Sequence, residues 1–165
     1  EPWPAKDICT AADLNLSQFY TQIGTILRQI NPNILLIFED SQYASSGDFS
    51  INEKIPLDNW LYSFHLYANP YNPTAKNILD AYYQRSFDFQ VPLYLGEFDA
   101  FSRAINANSQ ISRLEWENDA AILMQYLKER NISWTFWAYS GYYSLLEPYS
   151  NEPKKDLLKT LQSGF

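Results

Sequence analysis

Four short, almost uninterrupted apolar runs limit what this chain can fold into more than any other feature. They are Ile34–Phe38, Leu61–Tyr67, Val91–Leu95 and Ser133–Tyr139. A strand with one wet face alternates apolar and polar residues, whereas a continuous apolar run suits a strand covered on both faces. Strands of that kind belong to parallel sheets sandwiched by helices, so the runs predict an α/β chain with right-handed crossovers.

The intervals between the runs agree. Leu14 to Ile30 carries Leu16, Phe19, Tyr20, Ile23, Ile26, Leu27 and Ile30, the spacing of an amphipathic helix. Thr74 to Phe87 reads as a second helix, opened by Asn72 and by Pro73 at the first helical position. A third follows the capping box Ser112-Arg113-Leu114-Glu115 and carries Leu114, Ala121, Ile122, Met124, Tyr126 and Leu127. Lys154 to Leu161 closes the chain as a fourth, after Asn151-Glu152-Pro153. The stretch from Asp40 to Trp60 is polar and irregular, with a short helix or none. Open doubly wound sheet and closed barrel both fit this order. The absence of a glycine-rich phosphate loop after any strand disfavours a nucleotide-binding sheet. A barrel then gathers its chemistry just past the strand C-terminal ends.

Those ends carry polar and aromatic groups: Glu39 and Asp40 after the first strand, His65 and Tyr67 in the second, Glu97 after the third, Trp137 and Tyr139 in the fourth. A carboxylate such as Glu97, enclosed in Tyr94-Leu95-Gly96-Glu97-Phe98, is costly to desolvate unless hydrogen-bonded or paired. Catalysis and a structural ion pair are the two reasons to keep it there. Residues alternate sides along a strand, which assigns Trp134 to packing.

Composition removes several classes of function. The chain has 165 residues, with 12 Lys and Arg against 19 Asp and Glu, a net charge of −7. With no basic cluster it lacks the positive field that nucleic acid or an anionic membrane surface requires. No stretch approaches the roughly 18 to 20 apolar residues of a membrane span. One His and one Cys, Cys9, cannot build the usual zinc site or an internal disulfide, and no EF-hand spacing marks a calcium loop. No metal or cofactor is expected. Aromatic residues make up 17% of the chain, enough to supply either core or a surface that stacks on sugars. Asn15-Leu16-Ser17 and Asn131-Ile132-Ser133 match the glycosylation pattern, which is too frequent to argue from.

A resemblance makes the strand ends specific. Glu1-Pro2-Trp3, Ile26-Leu27-Arg28-Gln29-Ile30-Asn31-Pro32-Asn33, Phe64-His65-Leu66-Tyr67, Pro92-Leu93-Tyr94-Leu95-Gly96-Glu97-Phe98 and Ser133-Trp134-Thr135-Phe136-Trp137 follow in order. Together they resemble glycoside hydrolase family 5, the cellulase-like barrels. In that family Asn-Glu-Pro ends the fourth strand, His-x-Tyr the sixth, Gly-Glu-Phe the seventh and a Trp the eighth. The resemblance implies that residues 1–165 are a single segment, the C-terminal half (strands five to eight) of a (β/α)8 TIM barrel. A full barrel needs about 250 residues, so the N-terminal half, from the same parent chain or a second chain, is an expected partner.

Carried over residue by residue, the resemblance implies Glu97 as nucleophile and Glu1 as general acid and base. His65 and Tyr67 would contact the nucleophile or the reacting sugar, and Trp137 would form the floor beneath it. Trp3, Tyr142 and Tyr143 would stack on further sugars or merely cover apolar surface. The implied activity is retaining hydrolysis of a β-linked polysaccharide, β-1,4-glucan or β-mannan, in a secreted protein. A catalytically inactive carbohydrate-binding or structural half-barrel is the alternative.

Overall fold

The computed structural model describes residues 15–45, 47, 49–67, 73–99, 113–140, 144–147 and 150–165. The elements run α1 (Leu16–Ile30), β1 (Leu36–Glu39), a 3-10 turn (Gln42–Ala44), β2 (Trp60–Leu66), α2 (Pro73–Phe89), β3 (Leu93–Phe98), α3 (Arg113–Glu129), β4 (Ser133–Phe136) and α4 (Lys155–Gln162). The strands make one parallel sheet in the order β1-β2-β3-β4, as the alternation of strand and helix requires. The chain gathers into two compact units. One holds residues through His65 with Ile78–Tyr94, the other Leu66–Asn77 with Leu95–Phe165.

In the first unit α1 begins at Asn15, whose side chain accepts from the Gln18 amide at 3.0 Å and so satisfies one orphan donor of the first turn. The helix lies close on β1 because Gly24 stands at the contact. A Cβ there would meet Leu36 Cδ1 and Phe38 Cζ at 3.3 Å each and run into Leu57 Cδ1. Arg28, in the last turn, reaches the carbonyls of Ile34, of Asp58 at 2.6 Å and of Asn59 at 2.9 Å. One guanidinium thus ties the residues entering β1 to those entering β2. The two strands pair Leu36 with Trp60 through Glu39 with Ser63.

That register fixes the faces. Trp60, Tyr62 and Phe64 alternate onto the side covered by α2, where Phe64 stacks on Tyr82 at 4.8 Å and Trp60 and Tyr62 meet Phe89 at 6.3 and 5.7 Å. Leu61, Ser63 and His65 take the other side. Leu36 and Phe38 are buried under α1, but Ile37 is 50% exposed, so the expectation of a strand covered on both faces fails for β1. It stands at the end of the strand order. On α1 the apolar stripe divides: Leu16 is buried, while Phe19, Ile23, Ile26 and Ile30 form an exposed row, Ile30 at 77%.

The irregular stretch after β1 has a core of its own. Ile51 and Ile55 are fully buried, and so is Asp40. The Asp40 carboxylate accepts from the Ile51 amide at 2.6 Å, from Ser50 Oγ at 3.2 Å and from the Tyr62 hydroxyl. Arg85 donates to the Ile51 carbonyl and lies over the rings of Phe49 and Phe89 at 4.7 and 5.1 Å. Buried polar groups are tolerated when satisfied in this way.

In the second unit Phe98 meets Trp134 and Phe136 edge-on at 5.6 and 5.4 Å, which bears out Trp134 as a packing residue. α3 and α4 pack together, and Leu123, Met124, Leu127, Leu157 and Leu161 on them are buried. The peptide between Trp137 and Ala138 is cis. Among the described residues no helix is long and apolar enough to cross a membrane.

Candidate functional site

The strands deliver their chemistry at their C-terminal ends, with boundaries that differ from the sequence reading. β3 starts at Leu93 and runs through Glu97, because Gln90, at a φ of 57°, makes a turn and Val91-Pro92 lead out of it. Glu97 therefore lies within the strand, not after it. β2 stops at Leu66, leaving Tyr67 one residue past its end, and β4 stops at Phe136, so Trp137 and Tyr139 lie beyond it.

In the first unit, Glu39 at the last position of β1 stands opposite Ser63 and on the same side of the sheet as His65. Its Oε2 lies 3.3 Å from His65 Nε2. His65 is only 4% exposed. The bond from His65 holds the Glu39 carboxyl below its usual range, against the opposing push of partial burial. The Tyr20 hydroxyl donates to the Glu39 backbone carbonyl at 2.9 Å, and burial first, then the nearby Glu39 charge, push the phenol up.

Asp40 turns to the opposite side of the sheet. Burial pushes its carboxyl up, opposed by the Ile51 amide, the Tyr62 hydroxyl, the Arg85 charge and Ser50. Of the two acids ending β1, one faces the strand-end chemistry and the other is bound into the core.

In the second unit, the Tyr67 hydroxyl donates to Glu97 Oε2. Glu97 is half-buried. The Trp137 amide donates to the Phe98 carbonyl at 2.9 Å, tying the residue after Glu97 to the start of the loop after β4. The Trp137 side chain is 53% exposed and Tyr139 more so. A half-buried carboxylate oriented by a phenol can act as nucleophile or base, and an exposed indole offers a flat face to a sugar ring. Among the described residues no group of acids, His and Cys could hold a metal ion.

Of the residues singled out from sequence, Glu97 and Tyr67 are brought into direct contact, and His65 is bound to Glu39. Glu1, Trp3, Tyr142 and Tyr143 lie outside the described residues. The pairing of Glu39 with His65 was not foreseen. Strand alternation puts Glu39 and Asp40 on opposite faces, and it is the register, with Glu39 opposite Ser63, that selects Glu39 for the side of His65.

Residues 1–142 match the model of the cellulase family, glycosyl hydrolase family 5. No curated protein matches the chain significantly. Among solved structures, Thermotoga maritima Cel5A in complex with cellobiose superposes with a TM-score of 0.72 at 18% identity, over 98% of this chain and 57% of that one. The same enzyme with mannotriose gives 0.69 at 16%, over 92% and 55%. The cellulose synthase subunit Z (CcsZ) of Clostridioides difficile gives 0.69 at 16%, over 91% and 56%. The chain thus spans little more than half the length of these structures, and the likeness is one of fold.

Proposed function

The chain belongs to glycosyl hydrolase family 5, and on that premise we propose that it forms the nucleophile-bearing half of a retaining O-glycosyl hydrolase acting on β-linked polysaccharide, β-1,4-glucan or β-mannan. The observation that carries the reading is the Tyr67 hydroxyl donating to Glu97 at the end of β3. That bond aims the carboxylate and leaves it half-exposed to a substrate. The neighbours that bind cellobiose and mannotriose support the choice of substrate class.

In this mechanism a Glu97 oxygen attacks the anomeric carbon while the glycosidic C–O bond breaks. The bonding pair goes to the leaving oxygen, which takes a proton from Glu1. A glycosyl ester on Glu97 results. Glu1, now a carboxylate, draws a proton from water, and the water oxygen attacks the same carbon and frees Glu97. Two inversions retain the configuration. The geometry needs the two carboxyls about 5 to 5.5 Å apart. His65 and Tyr67 contact the nucleophile or the reacting sugar, Trp137 forms the floor beneath it, and Trp3 stacks on a further sugar. The remaining strands of the barrel are supplied by an N-terminal half, and the polymeric substrate implies a secreted protein.

The test compares the protein, completed by its N-terminal half, with its Glu97→Gln variant on cello- and manno-oligosaccharides, with the first-formed anomer followed by proton NMR. We expect the β-anomer first from the unaltered protein and a loss of at least roughly a thousandfold in kcat for the variant, since removing the nucleophile removes the covalent route. Wild-type turnover by Glu97→Gln, or the α-anomer first, refutes the assignment.

A further inference from the structure

We infer that Glu39 is a positioning residue for His65: its carboxylate accepts the Nε2 proton, fixing the ring's orientation and tautomer at the end of β2. The register of the sheet makes the contact. Glu39 is paired with Ser63, strand alternation carries His65 to the same side two residues on, and Oε2 meets Nε2 at 3.3 Å. A buried imidazole can present either nitrogen as donor, and the hydrogen bond at one nitrogen decides what the other can do. With a carboxylate at Nε2, that nitrogen must carry the proton, because a bare nitrogen lone pair would face a negative oxygen.

A purely structural role explains the pair less well. β1 and β2 are already joined along four residues by their ladder, Leu36 with Trp60 through Glu39 with Ser63. The tie from α1 to this point goes to the Glu39 backbone carbonyl, from Tyr20, and not to its carboxylate. Replacing the Glu39 side chain therefore leaves both connections in place while removing the acceptor at Nε2. The consequence for turnover rests on the proposed hydrolysis; the tautomer does not.

His65 is the only histidine in the chain, so a long-range nitrogen–proton correlation spectrum of the uniformly labelled protein contains a single imidazole. We expect the unaltered protein to show a protonated, pyrrole-like Nε2. Glu39→Ala should move both ring nitrogens toward tautomer-averaged positions and lower kcat roughly tenfold to a hundredfold, with KM little changed, the size expected when a reacting group loses its alignment. Glu39→Gln, whose amide oxygen can accept the same proton, should restore the pyrrole-like signature and most of kcat.

An unprotonated Nε2 in the unaltered protein overturns the inference, and that measurement needs no variant to fold. An imidazole spectrum identical in Glu39→Ala also overturns it, as does Gln behaving no better than Ala. If the spectra change as expected while the unaltered protein hydrolyses no β-glucan or β-mannan, the positioning role stands and the proposed activity falls.

Discussion

Removing one hydroxyl, in Tyr62→Phe, tests whether the Asp40 network holds the stretch after β1. Asp40 is fully buried and its carboxylate takes three donors, of which the Tyr62 hydroxyl is one. Phenylalanine keeps the ring contacts with Tyr82 at 5.4 Å and Phe89 at 5.7 Å, so the packing term nearly cancels. What remains is a hydrogen bond to a buried, charge-bearing acceptor, with a lone pair left unsatisfied, for which about 2 kcal/mol is the expected loss. With a urea slope near 2 kcal/mol per molar, the midpoint followed by tryptophan fluorescence should fall by about 1 M. Tyr82→Phe is the control. Its hydroxyl makes a long 3.4 Å bond to the neutral Ala44 carbonyl, and loss of that bond should cost under about 1 kcal/mol.

A pH arm sharpens the test. Burial first, then the Asp40 charge, raise the Tyr62 phenol far above its ordinary value of 10.0. A group raised on folding contributes stability that is complete below its unfolded value and is lost as pH climbs toward its folded one. Above pH 10 the unfolded chain ionises at this tyrosine while the folded chain does not. The unaltered protein should therefore lose about 1.4 kcal/mol per pH unit that Tyr62→Phe does not. The gap between them should close to under 1 kcal/mol near pH 11. Equal midpoints at neutral pH, or a gap that stays constant from pH 9 to 11, refute the account.

Other outcomes follow from the same contacts. Gly24→Ala should lower Tm despite alanine's helix preference of up to about 1 kcal/mol, because crowding Leu57, Leu36 and Phe38 costs about 1 to 3 kcal/mol. The Glu39 carboxyl is lowered by His65, so its stabilising share is present above pH 4.5 and is lost as pH falls through its folded value. Glu39→Gln should flatten that acid limb in a urea series from pH 6 to 3. Replacing exposed Ile26 and Ile30 with Gln should shift folding stability by less than about 0.5 kcal/mol per site while reducing self-association in light scattering. A large loss of stability there would mean that the row is packed in solution.

The fold was legible where period and punctuation agree. α1, α2 and α4 lie within two residues of their sequence limits at each end, and α3 starts inside its capping box, since caps, a proline at the first position and spaced apolar residues all speak of backbone geometry. Apolar runs proved weaker guides to strand limits: Leu35 and Val91 are apolar but lie outside the strands, and Leu35 is exposed. Burial is a property of what comes to lie against a residue, and that information sits far away in the chain. The same reason hid the divided stripe of α1, where a single apolar period serves one buried side and one exposed row. Glu97, Tyr67 and His65 were legible from strand-end position. The bond between Glu39 and His65 depends on register, which the run Ile34–Phe38 alone does not set.

The Arg28 contacts have a consequence for how such a chain can change. Its guanidinium fastens the approach to β1 and the approach to β2 at the end of the strands opposite Glu39 and His65. Alignment of the two strands is thereby secured where they begin, not at the C-terminal ends that carry Glu39 and His65. Segments downstream of Glu39 can then be lengthened, shortened or exchanged between relatives without resetting which side chains share a face. Loop grafts that keep Arg28 and its four carbonyl partners, those of Pro32, Ile34, Asp58 and Asn59, should retain the sheet, and on the proposed function they would carry glycan preference with them as a transplantable trait.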